Sequence, residues 1–221
     1  MLFDLRGHRR RAVQVIYLLL AILMGGGLVL FGIGGSVSGG LLDAFKDGGG
    51  GGGNGNEAIE KRVDRLERRV AANPANTAAL QELVRDYYGL ATTQQESSTT
   101  TFPDEAKDEL RKAASAYQRY VSKARDKPSS ATATYALRVY DVGALNRPKE
   151  AQKAASIIAE AENDASSYLQ LVAYASLAKD TRTADLATQK AVDLAPKDQK
   201  KTVEQQAEQL KKSAQQQPPG S

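Results

Sequence analysis

Cysteine and tryptophan are absent from the 221-residue chain, and its only histidine is His8. Without cysteine there is no disulfide, no thiolate metal ligand and no thiol nucleophile. With no histidine after residue 8, Ser-His-Asp catalysis and the usual histidine zinc sites are excluded for everything that follows. A strong excess of one charge is also missing. The formal net charge is +4 and the isoelectric point is near 9.2. Residues 1–11, however, hold four Arg and one Asp, a net +3, which leaves only +1 for the rest. A nearly neutral remainder with no basic face lacks the electrostatic footprint of a nucleic-acid binder, so nucleic acid is not expected as a partner. Strand signals are missing too, because no Val-Ile-Thr alternation competes with helical spacing.

What the chain does have is one long apolar run. Ala12 to Ile33 is 22 residues without a charge, enough for a membrane helix, which needs roughly 20. The reading is a single-pass transmembrane helix at 12–33 with the lipid bilayer as its first partner. Arg6, His8, Arg9, Arg10 and Arg11 precede it, and the 20 residues after it hold one basic residue, Lys46. The positive-inside rule then makes 1–11 a cytoplasmic tail and the C-terminal domain extracytoplasmic. The run is too long for a typical secretory core, which argues for a signal-anchor; Ser36-Val37-Ser38 offers a small-x-small site for the alternative, a cleaved signal peptide. Ala21 and Gly25 to Gly27 allow close approach of a second membrane helix, or are simply glycines tolerated in a lone one.

Residues 34–56 read as a Gly-rich linker, with an unbroken run from Gly48 to Gly53. Such a coil has a reach on the order of 25 Å. From 57 to 214 the pattern is helical, and 215–221 (ending Gln-Pro-Pro-Gly-Ser) reads as a disordered tail. Ile59, Val63, Leu66 and Val70 form one apolar stripe on a charged first helix, Glu57 to Ala72. It packs on the next helix, or pairs as a short coiled coil. Further helices are expected at about Thr77 to Ala91, from Pro103 to Asp126, Ser130 to Ala144, Lys149 to Glu162, Ala165 to Lys179, Thr181 to Leu194 and Asp198 to Ser213. Pro103 suits a first helical turn, and Asp104, Glu105 and Asp108 suit its positive end. The expectation is an all-α protein of about eight helices behind a membrane span.

Tyr168, Leu171, Ala175, Ala184, Thr188, Ala191 and Pro196 follow one another at intervals of three, four, nine, four, three and five. Small Ala184 and Ala191 let a second helix pack closely on the first, and Pro196 stops it. This register resembles the tetratricopeptide repeat. An interrupted earlier copy is similar: Leu80, Leu83 and Tyr87, then Ala116, Tyr120 and Pro128. A middle copy spans about Ser130 to Glu162. Val172, Ala175 and Thr188 depart from the family pattern, which favours small or aromatic residues there. The resemblance covers about 120 residues and implies an antiparallel helix-pair array, with the first and last helices as caps.

In such an array the first helix of each pair lines a groove. Counting one step past the core positions gives Gln81, Arg85 and Tyr88, then Tyr135, Val139 and Val142, then Leu169, Ala173 and Ser176. This mostly apolar lining suits a helix or extended peptide of a partner protein. It does not suit the carboxylate clamp of some family members, because Leu169 and Ala173 stand where Lys and Asn would be needed. The competing occupant is the chain's own final helix. The acids Asp104, Glu105, Asp108 and Glu109 alternate with Lys107, Arg111 and Lys112, the pattern of a solvated helix face rather than of paired catalytic carboxylates. No enzyme, cofactor or metal is therefore expected. Glu160, Glu162 and Asp164 read likewise as surface, with a weak Ca²⁺ contact as the alternative.

The opening Met-Leu-Phe-Asp-Leu-Arg and the end of the span, Leu-Val-Leu-Phe-Gly-Ile-Gly-Gly, look like anchors of membrane-tethered periplasmic folding factors related to the parvulin isomerases. Anchor plus repeat domain is also the layout of an ancillary subunit of the bacterial Sec translocon. The resemblances imply a scaffold or adaptor that binds other envelope or membrane proteins. The alternatives are a chaperone accessory of the translocon or an architectural protein forming homo-oligomers through the span and first helix.

Overall fold

A computed structural model describes residues 54–95, 99, 101–124 and 127–216. The transmembrane helix, the basic tail and most of the linker expected from the sequence lie outside these residues. No described helix is long and apolar enough to cross a membrane.

The described residues form eight α-helices and no strand: α1 (Asn54–Ala72), α2 (Thr77–Thr93), α3 (Asp104–Lys123), α4 (Ser130–Tyr140), α5 (Pro148–Glu162), α6 (Ala165–Leu177), α7 (Thr181–Leu194) and α8 (Lys200–Gln216). The all-α class is as expected. Helix ends follow local chemistry. The side chains of Asn76, Ser129, Asp164 and Asp180 each accept the N–H of the residue three positions on, satisfying donors that the first helical turn leaves free. Asp164 and Ser167 complete a reciprocal capping box. Left-handed Asn163 (φ 50°) and Lys179 (φ 61°) turn the chain sharply, so α5 runs into α6 and α6 into α7 across two or three residues.

Some boundaries differ from expectation. Helix α1 starts at Asn54, so three linker residues join it, and the Asn56 amide donates to Thr93 Oγ1 at 3.2 Å. Helix α8 reaches Gln216, into the expected tail. Helix α4 stops at Tyr140 rather than Ala144, because Asp141 builds a turn. Its carbonyl accepts the N–H of Ala144 and Asn146, its carboxylate accepts that of Val142, and Asn146 takes φ 49°.

Consecutive helices pack as pairs, α2 on α3, α4 on α5 and α6 on α7. Between pairs, α2 and α3 both touch α4, and α5 packs on α6. Helix α1 covers α2, and α8 packs on α6 and α7. One continuous core runs through all eight helices. Alanine dominates it: Ala113, Ala133, Ala136, Ala154, Ala155 and Ala191 are all fully buried. Small side chains let helix axes approach closely, so the helices pack together with few large residues. The largest fully buried side chains include Tyr140, Leu66, Leu80 and Leu110.

The expected repeat-core residues occupy this interior with two exceptions. Leu80, Leu83, Tyr87, Tyr120, Leu171, Ala184 and Ala191 are buried, Tyr168 is half-buried against the core, and Pro196 is exposed. Pro196 follows the end of α7 at Leu194 by two residues, in keeping with a stop signal.

Candidate partner-binding face

The site begins with a buried acid. Asp86 on α2 is completely inaccessible to solvent, yet carries a carboxylate. Arg62 of α1 grips it with both arms of its guanidinium, through Nε to Oδ2 and through Nη2 to Oδ1 at 2.8 Å. Arg85 Nε donates to the same Oδ1 at 3.1 Å. The bidentate pair fixes α1 on α2, and the Arg62 guanidinium titrates higher than usual, chiefly through its hydrogen bond to Asp86. Beside it, the Tyr87 hydroxyl donates to Glu67 of α1, and Lys112 of α3 lies 5.6 Å from the centre of the Tyr87 ring. Burial first, and then Glu67, push the Tyr87 hydroxyl well above its ordinary range.

A second network joins the first two pairs. Gln81 Nε2 donates to Tyr120 Oη and to Thr132 Oγ1, each at 3.1 Å, and Tyr120 Oη accepts the Ser129 N–H at 2.6 Å. Gln81 is thereby spent on holding α2, α3 and α4 together.

On the remaining surface of α2 and α4 stands an aromatic cluster. Tyr88 meets Phe102 and Tyr135 edge to face, with ring centres 6.2 and 6.0 Å apart. All three rings are half-buried. Burial raises the Tyr135 hydroxyl, opposed by the nearby charges of Arg85 and Arg138. Arg138 is exposed and Arg85 half-exposed. Farther along, Tyr174 of α6 donates to Asp141 Oδ1 at 3.4 Å.

The nine expected groove residues therefore divide. Arg85, Tyr88 and Tyr135 come together on one accessible face. Val142 is 45 % exposed but sits in the turn after α4, not on a helix. Val139 at 0 % and Leu169 at 8 % are buried and offer a partner almost nothing. Ala173 and Ser176 are half-buried on α6, and Ser176 Oγ donates to the Val172 carbonyl. The one-step offset fails at Val139 and Leu169 because α4 and α6 pack on helices before and behind them, so a wide arc of each faces inward. Phe102 and Asp86, which no spacing rule singles out, belong to this region. The face is thus aromatic and cationic rather than apolar.

The acids on α3 are held locally. Asp104 pairs with Lys107 at 2.7 Å and Asp108 with Arg111 on a largely solvated surface, while Glu109, only 18 % exposed, pairs with Lys112 at 2.8 Å. Among the described residues no three His, Cys, Asp or Glu side chains are placed to hold a metal ion. The final helix α8 packs on α6 and α7, not on the face of α2 and α4. No known protein family, characterised protein or solved structure matches the chain.

Proposed function

We propose that this protein is a membrane-tethered scaffold whose tetratricopeptide-like helix pairs bind proteins of a bacterial cell envelope. The observation that carries the reading is the open face of α2 and α4, where Tyr88, Tyr135 and Phe102 cluster beside Arg85 and Arg138. Tyrosine and arginine are the side chains most often found at the energetic centre of protein interfaces, because each presents a large stiff surface with a polar tip. The packing order supports a repeat array, since each pair leans on the next and α1 and α8 close the two ends. The charge-free run from Ala12 to Ile33, with arginines before it, supports an anchor whose C-terminal domain lies outside the cytoplasm.

A membrane-impermeant amine crosslinker added to intact spheroplasts tests the whole reading. Adducts with other envelope proteins are expected, and they should weaken when Tyr135→Asp is combined with Arg138→Glu. Adducts that form only after lysis would overturn the topology. Self-adducts alone, unchanged by the double substitution, would favour an architectural homo-oligomer instead.

A further inference from the structure

Phe102 is shared between the aromatic cluster and a neighbouring cleft of about 380 Å³. The cleft lies between the connection entering α3 and the turn after α4, which are tied by the Phe102 N–H to the Gly143 carbonyl at 2.8 Å. Lys107, Arg111 and Arg147 line it together with Phe102, Val142 and Leu145, and none of its described lining residues is Asp or Glu. The cleft between α1, α2 and α3 differs, since Glu67 stands in its wall beside Lys112 and Arg119.

Two of the three cations already have partners, but weak ones. Asp104 and Asp108, which hold Lys107 and Arg111, have side chains 89 % and 74 % exposed. Exposed pairs of this kind are screened by solvent and exchange readily for a better-placed carboxylate. Arg147 is exposed, and no described residue forms an ion pair with it. Its position is nevertheless built, because its N–H closes the α4 turn on the Tyr140 carbonyl at 2.9 Å.

The geometry points to a binding site for an acidic, aromatic-bearing peptide segment of a protein partner. Its carboxylates sit among Lys107, Arg111 and Arg147, and its apolar residue stacks on the Phe102, Tyr88 and Tyr135 rings. The assignment rests on the scaffold reading above and names the chemistry of the partner. The volume falls near the low end of the roughly 300–1,000 Å³ typical of ligand pockets, room for one or two side chains rather than a folded surface. From Phe102 the ring contacts lead to Tyr88 and then Tyr135, and exposed Arg138 lies near Tyr135. A free anion would use the cations and leave those rings untouched. A peptide uses both.

The test is fluorescence anisotropy with full-length protein in nonionic detergent and a rhodamine-labelled, capped peptide alternating glutamate and phenylalanine. Saturable binding is expected, weakening steeply as NaCl rises from about 50 to about 500 mM. The glutamine-for-glutamate peptide should bind at least about tenfold more weakly, as should the acidic peptide to Arg111→Glu with Arg147→Glu. Charge reversal at exposed Lys153 and Arg182, on α5 and α7, should change nothing. Thermal melts of both variants establish that the fold persists, and Arg111→Gln with Arg147→Gln repeats the test without added negative charge. Equal binding of the two peptides, or equal binding by all variants, would overturn the assignment. So would displacement of the peptide by inorganic phosphate at the same concentration, which marks a plain anion site. Displacement by short-chain phosphatidylglycerol at lower concentration than free peptide would transfer the site to lipid. If envelope adducts persist in spheroplasts with Arg111→Glu and Arg147→Glu, this inference fails while the scaffold stands; if wild-type protein gives none, the scaffold itself fails.

Discussion

The first and third helix pairs solve the same packing problem with different materials. Pair α6/α7 is joined by a three-residue turn and meets along alanines, with Ala184, Ala187 and Ala191 at most 2 % exposed. Pair α2/α3 is joined by a connection running from Gln94 to Pro103 and is bound up with polar groups: a buried aspartate, a two-armed arginine, and a glutamine bridging to the next pair. A helix pair needs only small residues and good caps to stack, as α6/α7 demonstrates. The extra chemistry of α2/α3 exceeds that need. It also lies next to the accessible rings and cations, so structural specificity and candidate function are concentrated at one end of the stack.

The contrast breaks most sharply at Asp86. Removing one partner of a buried ion pair leaves a charge stranded away from water, at a cost of about 3–5 kcal/mol. Arg62→Ala strands Asp86 in this way, but Arg85 remains beside it, which places the expected loss near the lower bound, about 3 kcal/mol. Urea unfolding of the full chain measures this directly. Arg62→Met combined with Asp86→Leu removes both charges and should recover most of the loss, because apolar replacements avoid the stranded ion. If the double variant is no better than the single, Asp86 is not the source of the cost.

The third pair should respond to volume instead. Ala191 is fully buried where α7 packs on α6, and Ala191→Leu forces several extra carbons into a closed interface. Overpacking of this kind costs typically about 1–3 kcal/mol. The same unfolding measurement applies, with Thr181→Ala on the exposed start of α7 as the neutral comparison. A loss above that of Arg62→Ala would reverse the ranking and show that close alanine packing, not the polar network, is the stricter constraint.

Much of the stack was legible in the sequence because its signals are local. Pro103 and the acids that follow it announce a helix start, and the Ala184, Ala191 and Pro196 spacing announces a close-packed second helix. The end of α4 was not legible, since Val142 to Leu145 continue an apolar pattern; only the Asp141 carbonyl and carboxylate, together with left-handed Asn146, override it. The site was less legible still. Asp86 owes its meaning to Arg62, 24 residues earlier on another helix, and no periodicity connects the two. Phe102 reads as the residue before a helix start, whereas packing against Tyr88 brings it into the face. Helical spacing predicts which residues turn inward on one helix. It does not predict how many neighbours that helix will have, and that is why Val139 and Leu169 proved buried.

The smallest expected effect concerns the third pair's own carboxylate. Asp180 accepts the Thr183 N–H at 3.0 Å, the Thr183 hydroxyl at 2.7 Å and the Gln152 amide at 2.7 Å. These donors, the backbone N–H of Thr183 first, favour the ionised form and hold its pKa below the ordinary 3.8. A carboxyl whose folded pKa is depressed adds stability that is complete above its unfolded pKa and disappears as pH falls through the folded one. Asp180→Asn keeps an acceptor for the cap but has no charge to lose. The stability difference between wild type and Asp180→Asn should therefore be constant above about pH 5 and shrink below 3.8, followed by thermal melts across that window. A difference that stayed flat through the acid range would mean that the Asp180 charge contributes nothing to the cap. The simple pair would then be held by apolar contact and hydrogen-bond geometry alone, and the separation from the charge-built first pair would be complete.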